Sequence, residues 1–307
     1  MKILYVLGRG RSGSSIFANV IGEHEGFFSA GELRYLWDPV VRRDGDCGCG
    51  ATVSTCPVWS QVLDRLSDVS VEAAGEWQRE VVTERNLLRL VRYPQDGTWP
   101  ALDGFVGVMS RVYQALSDVT GVSVIVDSSK RPAYAAVLRL VAGPDLYCIH
   151  LIRDPRASAF SWGNSRHRSV FGGGTEVRQR NALDSTVRWN VLNLEAEFLL
   201  RRLAKTNAMR LRYEEFVAAP RDVAARVTAF ARETDATSPF VDGKTLVLTP
   251  NHSIAGNPSR FAVGEVTIED KGRWQTEQSA LDRRVATTVA SPFLHRYGYK
   301  MRPSPPV

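Results

Sequence analysis

The sequence predicts an α/β fold: a P-loop-like three-layer αβα architecture with a central parallel sheet of about five strands and inserted helices. Three observations carry this. Short, β-branched apolar runs are spaced by helical patterns, which is the signature of βαβ units. The first of these runs passes through a glycine-rich loop directly into a helical pattern. The chain also has 307 residues with 44% hydrophobic content, ample for a large core.

Strands are expected at residues 3–7, 122–126, 146–152 and 208–212, with a fifth at 245–248. A helix follows the first strand at 14–23. Between the first two strands lies a helical insertion of about 37–119, with helices at 59–66, 71–93 and 101–119 and a loop at 94–100. Further helices are expected at 133–140, from near Pro155, and at 183–203, 222–232 and 277–290. Pro132 falls at a helix start, where its missing N–H costs nothing. The glycines at 172–174 read as a mobile loop and residues 303–307 as a flexible tail. With no repeat and no interdomain linker, residues 1–302 read as one domain.

Basic residues number 39 against 33 acidic, for a net charge of +6, yet only six of the basic residues are lysine. Arginine's fixed fork of donors suits phosphate. A GC-rich genome would also write arginine for lysine throughout, so the bias alone identifies no ligand. No run of about 5–8 consecutive basic residues exists, which weakens nucleic acid as the partner. Only five apolar residues follow Lys2, too few for a signal-peptide core, and nothing approaches the roughly 18–20 apolar residues of a membrane span. A cytoplasmic location is expected, and the oligomeric state is left open. Cys148 lies in an apolar run and reads as a buried thiol. Cys47, Cys49 and Cys56 share one loop without a local fourth ligand, so a disulfide or reduced thiols are expected ahead of a metal.

Residues Gly8-Arg9-Gly10-Arg11-Ser12-Gly13-Ser14-Ser15 leave the first strand and open a helix. Glycines let consecutive N–H groups aim at an anion, and the helix N-terminus adds partial positive charge. The spacing of Gly8 and Gly13 matches a P-loop NTPase, but Ser14 stands where that loop has its lysine. Phosphate binding is therefore favoured and ATP hydrolysis is not. A second phosphate site reads from Arg153 at a strand end and Ser161 eight residues on, two turns into a helix.

Arg11-Ser12-Gly13-Ser14-Ser15 resembles the 5′-phosphosulfate loop of sulfotransferases that use 3′-phosphoadenosine 5′-phosphosulfate (PAPS), closest to the tyrosylprotein sulfotransferase-like branch. Arg153-Asp154-Pro155-Arg156-Ala157-Ser158 followed by Ser161 resembles the same family's 3′-phosphate motif. Asp127-Ser128-Ser129-Lys130 looks like the segment with the active-site lysine, and Tyr213-Glu214-Glu215 like the segment whose tyrosine approaches adenine. His252-Ser253 with residues 256–261, then Lys271-Gly272-Arg273-Trp274, resemble the late loop that folds over the nucleotide. The resemblance implies PAPS as donor, PAP as product and no required metal. It places Gly10, Arg11, Ser12, Gly13, Ser14, Ser15, Arg153, Ser161, Tyr213 and Arg260 on the nucleotide. Arg11, Lys130 and Ser253 would stabilise charge at the reacting centre.

Sulfuryl transfer also needs a base for the acceptor hydroxyl. Glu32 follows Phe27-Phe28, which can bring it to the sheet's carboxyl edge, and it resembles the catalytic glutamate of tyrosylprotein sulfotransferases. Arg34 would orient it, bind an acidic acceptor or lie on the surface. His24 is the other contender, although at a helix end it also suits the helix dipole. Two alternatives stand beside this reading. A P-loop kinase or NTPase would use Asp127 as its magnesium ligand, and a non-catalytic nucleotide-binding or scaffold protein would have no need of paired phosphate loops. The expected acceptor is a hydroxyl on a small molecule or carbohydrate, met by residues of about 37–115 and 167–182 that include Trp59, Trp77, Trp99 and Phe171.

Overall fold

The computed structural model describes residues 1–95, 97–164, 179–234 and 236–302. The glycines at 172–174, Phe171 and the tail at 303–307 lie outside the described residues. In chain order the elements begin with β1 (Lys2–Leu7), α1 (Ser14–Gly22) and β2 (Phe27–Gly31). The insertion follows as α2 (Trp59–Asp64), α3 (Val71–Val81), α4 (Leu87–Arg92) and α5 (Pro100–Thr120). Next come β3 (Val124–Lys130), α6 (Pro132–Ala142), β4 (Leu146–Ile152), α7 (Pro155–Gly163), α8 (Ala182–Leu200) and β5 (Ala208–Arg212). The chain continues through α9 (Tyr213–Ala218), α10 (Pro220–Phe230), β6 (Thr245–Leu248), β7 (Gly264–Thr267), α11 (Arg273–Glu277) and α12 (Ala280–Arg296).

Five strands form one parallel sheet in the order β2-β3-β1-β4-β5. The expected strand count holds, but one member differs. Residues 245–248 pair antiparallel with β7 in a separate ribbon, and the fifth sheet strand is Phe27–Gly31. That segment has no β-branched residue and ends in Ser-Ala-Gly, so its strand character comes from pairing with β3 rather than from local propensity. The strand expected at 122–126 instead runs on through Asp127-Ser128-Ser129-Lys130, all buried. The helix expected at 71–93 is two helices. It breaks at Val82 and Thr83, whose backbones leave the helical region.

The parallel sheet is covered on both faces, as parallel sheets require. Ile3, Tyr5 and Leu7 point to one side, into a core with α5, α6 and the insertion. Leu4 and Val6 point to the other, where Phe17, Val20, Ile21 and Phe216 pack. Trp59 and Trp99 are buried in the first core, so they hold the insertion to the sheet. Among the described residues, no helix is long and apolar enough to cross a membrane.

His150 sits fully buried in β4, donating from Nε2 to Asn193 Oδ1 at 2.7 Å. Burial pushes its pKa down to about 4 from 6.5, against the raising effect of the Asn193 bond. Folding favours the neutral ring, so this contribution is intact above pH 6.5 and is lost as the pH falls towards 4. It amounts to about 3 kcal/mol at most. Gln at position 150 keeps a donor for Asn193 and does not titrate. The stability advantage of wild type over His150→Gln in urea should shrink by about 2–3 kcal/mol from pH 7.5 to pH 4.5. A pH-independent difference would show that His150 ionises freely in the fold.

Candidate active site

The carboxyl ends of β1, β2, β3 and β4 meet around one cavity of about 310 Å³. Gly8 leaves β1 between the neighbouring strands: its N–H donates to Lys130 O at 3.2 Å, and a Cβ there would sit 2.5 Å from Leu151 O. Arg11 then adopts φ +73°, a left-handed conformation costing about 1–2 kcal/mol for a non-glycine residue. Gly13, at φ +83°, precedes α1, and a Cβ on it would overlap the Tyr213 ring. The first turn of α1 points its unbonded N–H groups into this loop.

Opposite the loop, Lys130 Nζ forms an ion pair with Glu32 Oε1. Glu32 is 6% exposed and Lys130 9% exposed. Both ends of the pair are fixed by backbone. Glu32 N donates to Ile254 O at 2.8 Å, while Arg34 N donates to Ser129 Oγ at 3.0 Å. Ser129 in turn donates its N–H and hydroxyl to Asp127 Oδ1, at 2.8 and 2.5 Å, and Tyr113 donates to Asp127 Oδ2 at 2.5 Å. Lys130 has φ +72°, so the second cation of the site also stands on strained backbone. Burial pushes the Lys130 ammonium pKa down, opposed by the Glu32 carboxylate. Burial likewise pushes Asp127 up to about 6, against the hydrogen bonds it accepts. Asp127 does not line the cavity.

The third side comes from β4 and α7. Asp154 caps α7 by accepting from Arg156 N at 2.9 Å. Its carboxylate also holds the buried Arg156 guanidinium, which donates on to the carbonyls of Lys300 and Met301. Asp154 is thus committed within the fold, and Arg153 is the residue turned towards the loop. Arg153 donates to Arg11 O at 3.3 Å, lies over the Tyr213 ring at 4.6 Å, and meets Asp270 at 3.4 Å. Trp162 donates to Gly10 O at 3.0 Å, and the guanidinium groups of Arg9, Arg11 and Arg180 lie 4.8, 5.5 and 5.2 Å from its ring.

Arg9, Arg11, Arg34, Lys130, Arg131 and Arg153 line the cavity, and Glu32 is the one carboxylate among its described lining residues. Arg9 Nε and Nη2 are buried without a partner among the described residues. Burial, with Arg180 and Arg131 nearby, pushes the Arg9 pKa down to about 10. A buried guanidinium lacking acceptors fits an anionic ligand, because an unmade charged hydrogen bond is costly. The lining therefore suits a polyanion.

The structure brings Gly10, Arg11, Gly13, Ser14, Ser15, Glu32, Lys130, Arg153 and Ser161 together around this cavity. Ser12 is buried beneath the loop, its Oγ without a hydrogen-bond partner among the described residues. Tyr213 braces the loop from behind through Gly13 and Arg153. Ser253 does not line the cavity, and its hydroxyl donates to Asn251 Oδ1 at 2.5 Å. Arg260 is also set back, donating to Gly256 O at 3.4 Å and Asp46 O at 3.2 Å. Gly256, Asn257 and Ser259 of the same loop reach the cavity instead. His24 lies elsewhere, donating from Nδ1 to Val20 O at 3.1 Å and packing near Phe27 and Phe240. Lys271 is exposed and pairs with Glu269. Sequence reasoning missed Arg9, Arg131 and Trp162. Each neighbours a residue it did select, but no local pattern separates them from ordinary surface side chains.

A model of the sulfotransferase family matches residues 4–236. Among solved structures, the sulfotransferase domain from the curacin biosynthetic pathway is similar with a TM-score of 0.53 and 17% identity, covering 98% of this chain and 99% of that one. The sulfotransferase domain of the Synechococcus PCC 7002 olefin synthase has a TM-score of 0.46 and 18% identity, covering 94% of each chain. No curated protein matches the sequence. The chain belongs to the sulfotransferase family.

The glycine loop yields a stability test. Ala at position 13 combines a left-handed backbone, about 1–2 kcal/mol, with an overlap of about 1–3 kcal/mol against Tyr213. Gly13→Ala should lose about 2–5 kcal/mol in urea unfolding. A Gly13→Ala/Tyr213→Ala cycle should show about 1–3 kcal/mol of coupling, and zero coupling would remove the contact.

Proposed function

We propose that this chain moves the sulfuryl group of PAPS to a hydroxyl acceptor, a small molecule or carbohydrate. The observation that carries the reading is the buried Glu32–Lys130 pair facing a glycine loop in one cation-lined cavity. Arg11, the amides at the start of α1 and the hydroxyls of Ser14 and Ser15 would hold the 5′-phosphosulfate. Arg153 and Ser161 would hold the 3′-phosphate, with Tyr213 towards the adenine.

Glu32 accepts the acceptor's hydroxyl proton. The freed oxygen forms a bond to sulfur as the bond from sulfur to the 5′-phosphate oxygen breaks, and that oxygen keeps the electron pair and leaves with PAP. Arg11 and Lys130 face the oxygens on which this charge grows. Each well-placed donor of this kind is worth about 3–4 kcal/mol. Arg11 acts by charge alone, since a guanidinium does not release its proton. No residue in the scheme calls for a metal at the reacting centre.

The kinase alternative finds less support. Ser14 stands where the loop lysine is needed, and the magnesium candidate Asp127 is saturated by Tyr113 and Ser129 away from the cavity. We read residues 1–302 as one sulfotransferase domain, because Trp59 and Val62 of the insertion share a core with Ile3 and Ile125. The same reading keeps the chain in the cytoplasm, a reducing compartment that suits its free cysteines.

Thermal shift separates the alternatives: PAP should raise the melting midpoint, and stabilisation by ATP with magnesium alone would sink the proposal. Glu32→Gln should lower kcat about 10²–10⁴-fold. The PAP-induced shift should survive in that variant; if it vanishes, Glu32 is structural. Arg11→Ala should lower turnover by at least about 10²-fold while the circular dichroism spectrum is unchanged. Retained turnover would take Arg11 out of the mechanism.

A further inference from the structure

Outside the cavity, one cluster of metal-ligating side chains stands out. Cys47, Cys49 and Cys56 lie in the loop before α2, and their local sequence offers no fourth ligand. The fold supplies one from a distant segment: the ligand atoms of Cys47, Cys49, Cys56 and His252 all lie within 4.8 Å of one another. His252 Nδ1 is 3.2 Å from Cys56 Sγ and 3.9 Å from Cys47 Sγ, and the two sulfurs are 3.5 Å apart. A tetrahedral zinc ion with bonds of about 2.3 Å to sulfur and 2.0 Å to nitrogen has edges of about 3.8 and 3.5 Å. The two sulfur-to-nitrogen separations bracket the 3.5 Å edge, and the sulfur–sulfur separation falls about 0.3 Å inside its own. The cysteines are free, and the 3.5 Å sulfur separation is far beyond a disulfide bond of about 2.05 Å.

The surroundings are built for such a centre. Cys47 and Cys56 are fully buried, while Cys49 and His252 are half-buried. The loop folds on itself through Cys47 N to Ala51 O at 2.8 Å and Cys56 N to Thr52 O at 2.8 Å. A Cβ on Gly48 would collide with Asn251, so only glycine between the two cysteines lets the His252 segment approach. Trp59 Nε1 donates to His252 O at 2.6 Å and Gly48 N to Ser253 O at 2.9 Å, fixing the histidine's backbone. The buried Arg260 guanidinium donates to Asp46 O beside the cluster, a cation next to a centre with one net negative charge.

We propose that Cys47, Cys49, Cys56 and His252 Nδ1 bind one Zn²⁺ as a structural site. Three thiols release their protons on binding and the imidazole coordinates in its neutral form. All four positions are filled by protein, leaving none for a substrate. The ion ties the late loop to the insertion. Two residues beyond His252, Ile254 pairs with Gly31 and accepts the N–H of Glu32, so the tie ends at the backbone of the carboxylate.

Metal content tests this independently of any transfer activity. Protein freed of loose metal on a chelating resin should carry about one zinc per chain by mass spectrometry of the elements, the count of a single four-ligand site. Exchange for Co²⁺ should give thiolate-to-cobalt charge transfer and the visible bands of a tetrahedral site. His252→Asn and Cys49→Ser should lose the zinc, whereas Cys148→Ser, remote in β4, should keep it. If a cysteine variant fails to fold, the zinc and cobalt measurements on wild type still decide. Wild-type protein without zinc and without cobalt bands overturns the proposal, whether its cysteines titrate as thiols or are recovered as a Cys47–Cys56 disulfide. Zinc retained in both His252→Asn and Cys49→Ser also overturns it.

Discussion

A buried ion pair, Lys130 against Glu32, is the constraint on which the rest of the site depends. Two charges with little water around them are tolerable only if each is held where the other can compensate it. The fold meets that demand with backbone rather than with long flexible side chains. Glu32 follows β2, Lys130 ends β3, and the parallel register of Gly31 with Asp127 puts the two residues at one sheet edge. The buried Tyr113–Asp127–Ser129 chain then fixes the β3 end, and Ile254 fixes Glu32 from the other side. Asp127, an acidic residue in a motif, works as a joist and not as a ligand.

Around this pair the charge balance is lopsided. Among the described residues, six cationic side chains share the cavity lining with one carboxylate. Such a cluster is mutually repulsive, and part of the strain is visible: Arg9 has buried nitrogens without partners among the described residues, and its pKa is pushed down by burial and by Arg180 and Arg131. Trp162 relieves some of it by offering a ring to three guanidinium groups. The remainder suits the site to a polyanion. The left-handed backbones at Arg11 and Lys130 belong to the same economy, since strained residues persist where surrounding structure dictates their position.

What was legible in the sequence follows from how local each feature is. The glycine loop and the Arg153-to-Ser161 spacing were readable because each motif is one strand end plus one helix start. Both sets of residues line the cavity. The strand Phe27–Gly31 was not readable as a sheet member, because five residues ending in Ser-Ala-Gly acquire that role only by lying beside β3. Residues 245–248 looked like a better strand and pair only with β7. Arg260 matched a phosphate ligand by type and order, and the fold sets its guanidinium back from the cavity, donating to the carbonyls of Gly256 and Asp46. Residue type identifies a capacity, and the fold decides where the capacity is used.

The late loop shows why this matters for chemistry. Between β6 and β7 the chain must cross from the ribbon to the sheet edge, place Gly256 to Ser259 in the cavity and return, with only a short 3₁₀ turn at Pro258–Phe261 to stiffen it. A free segment of that length would pay conformational entropy for every ordered residue. It is held along its length: His252 among the three cysteines, Ile254 against Gly31 and Cys47, Asn257 N on Ser15 Oγ, and Arg260 fastened to Asp46. Three of those four points rest on the cysteine-bearing loop. Glu32, the base of the proposed reaction, is thus supported by a segment fastened at several points to the cysteine-rich corner of the insertion.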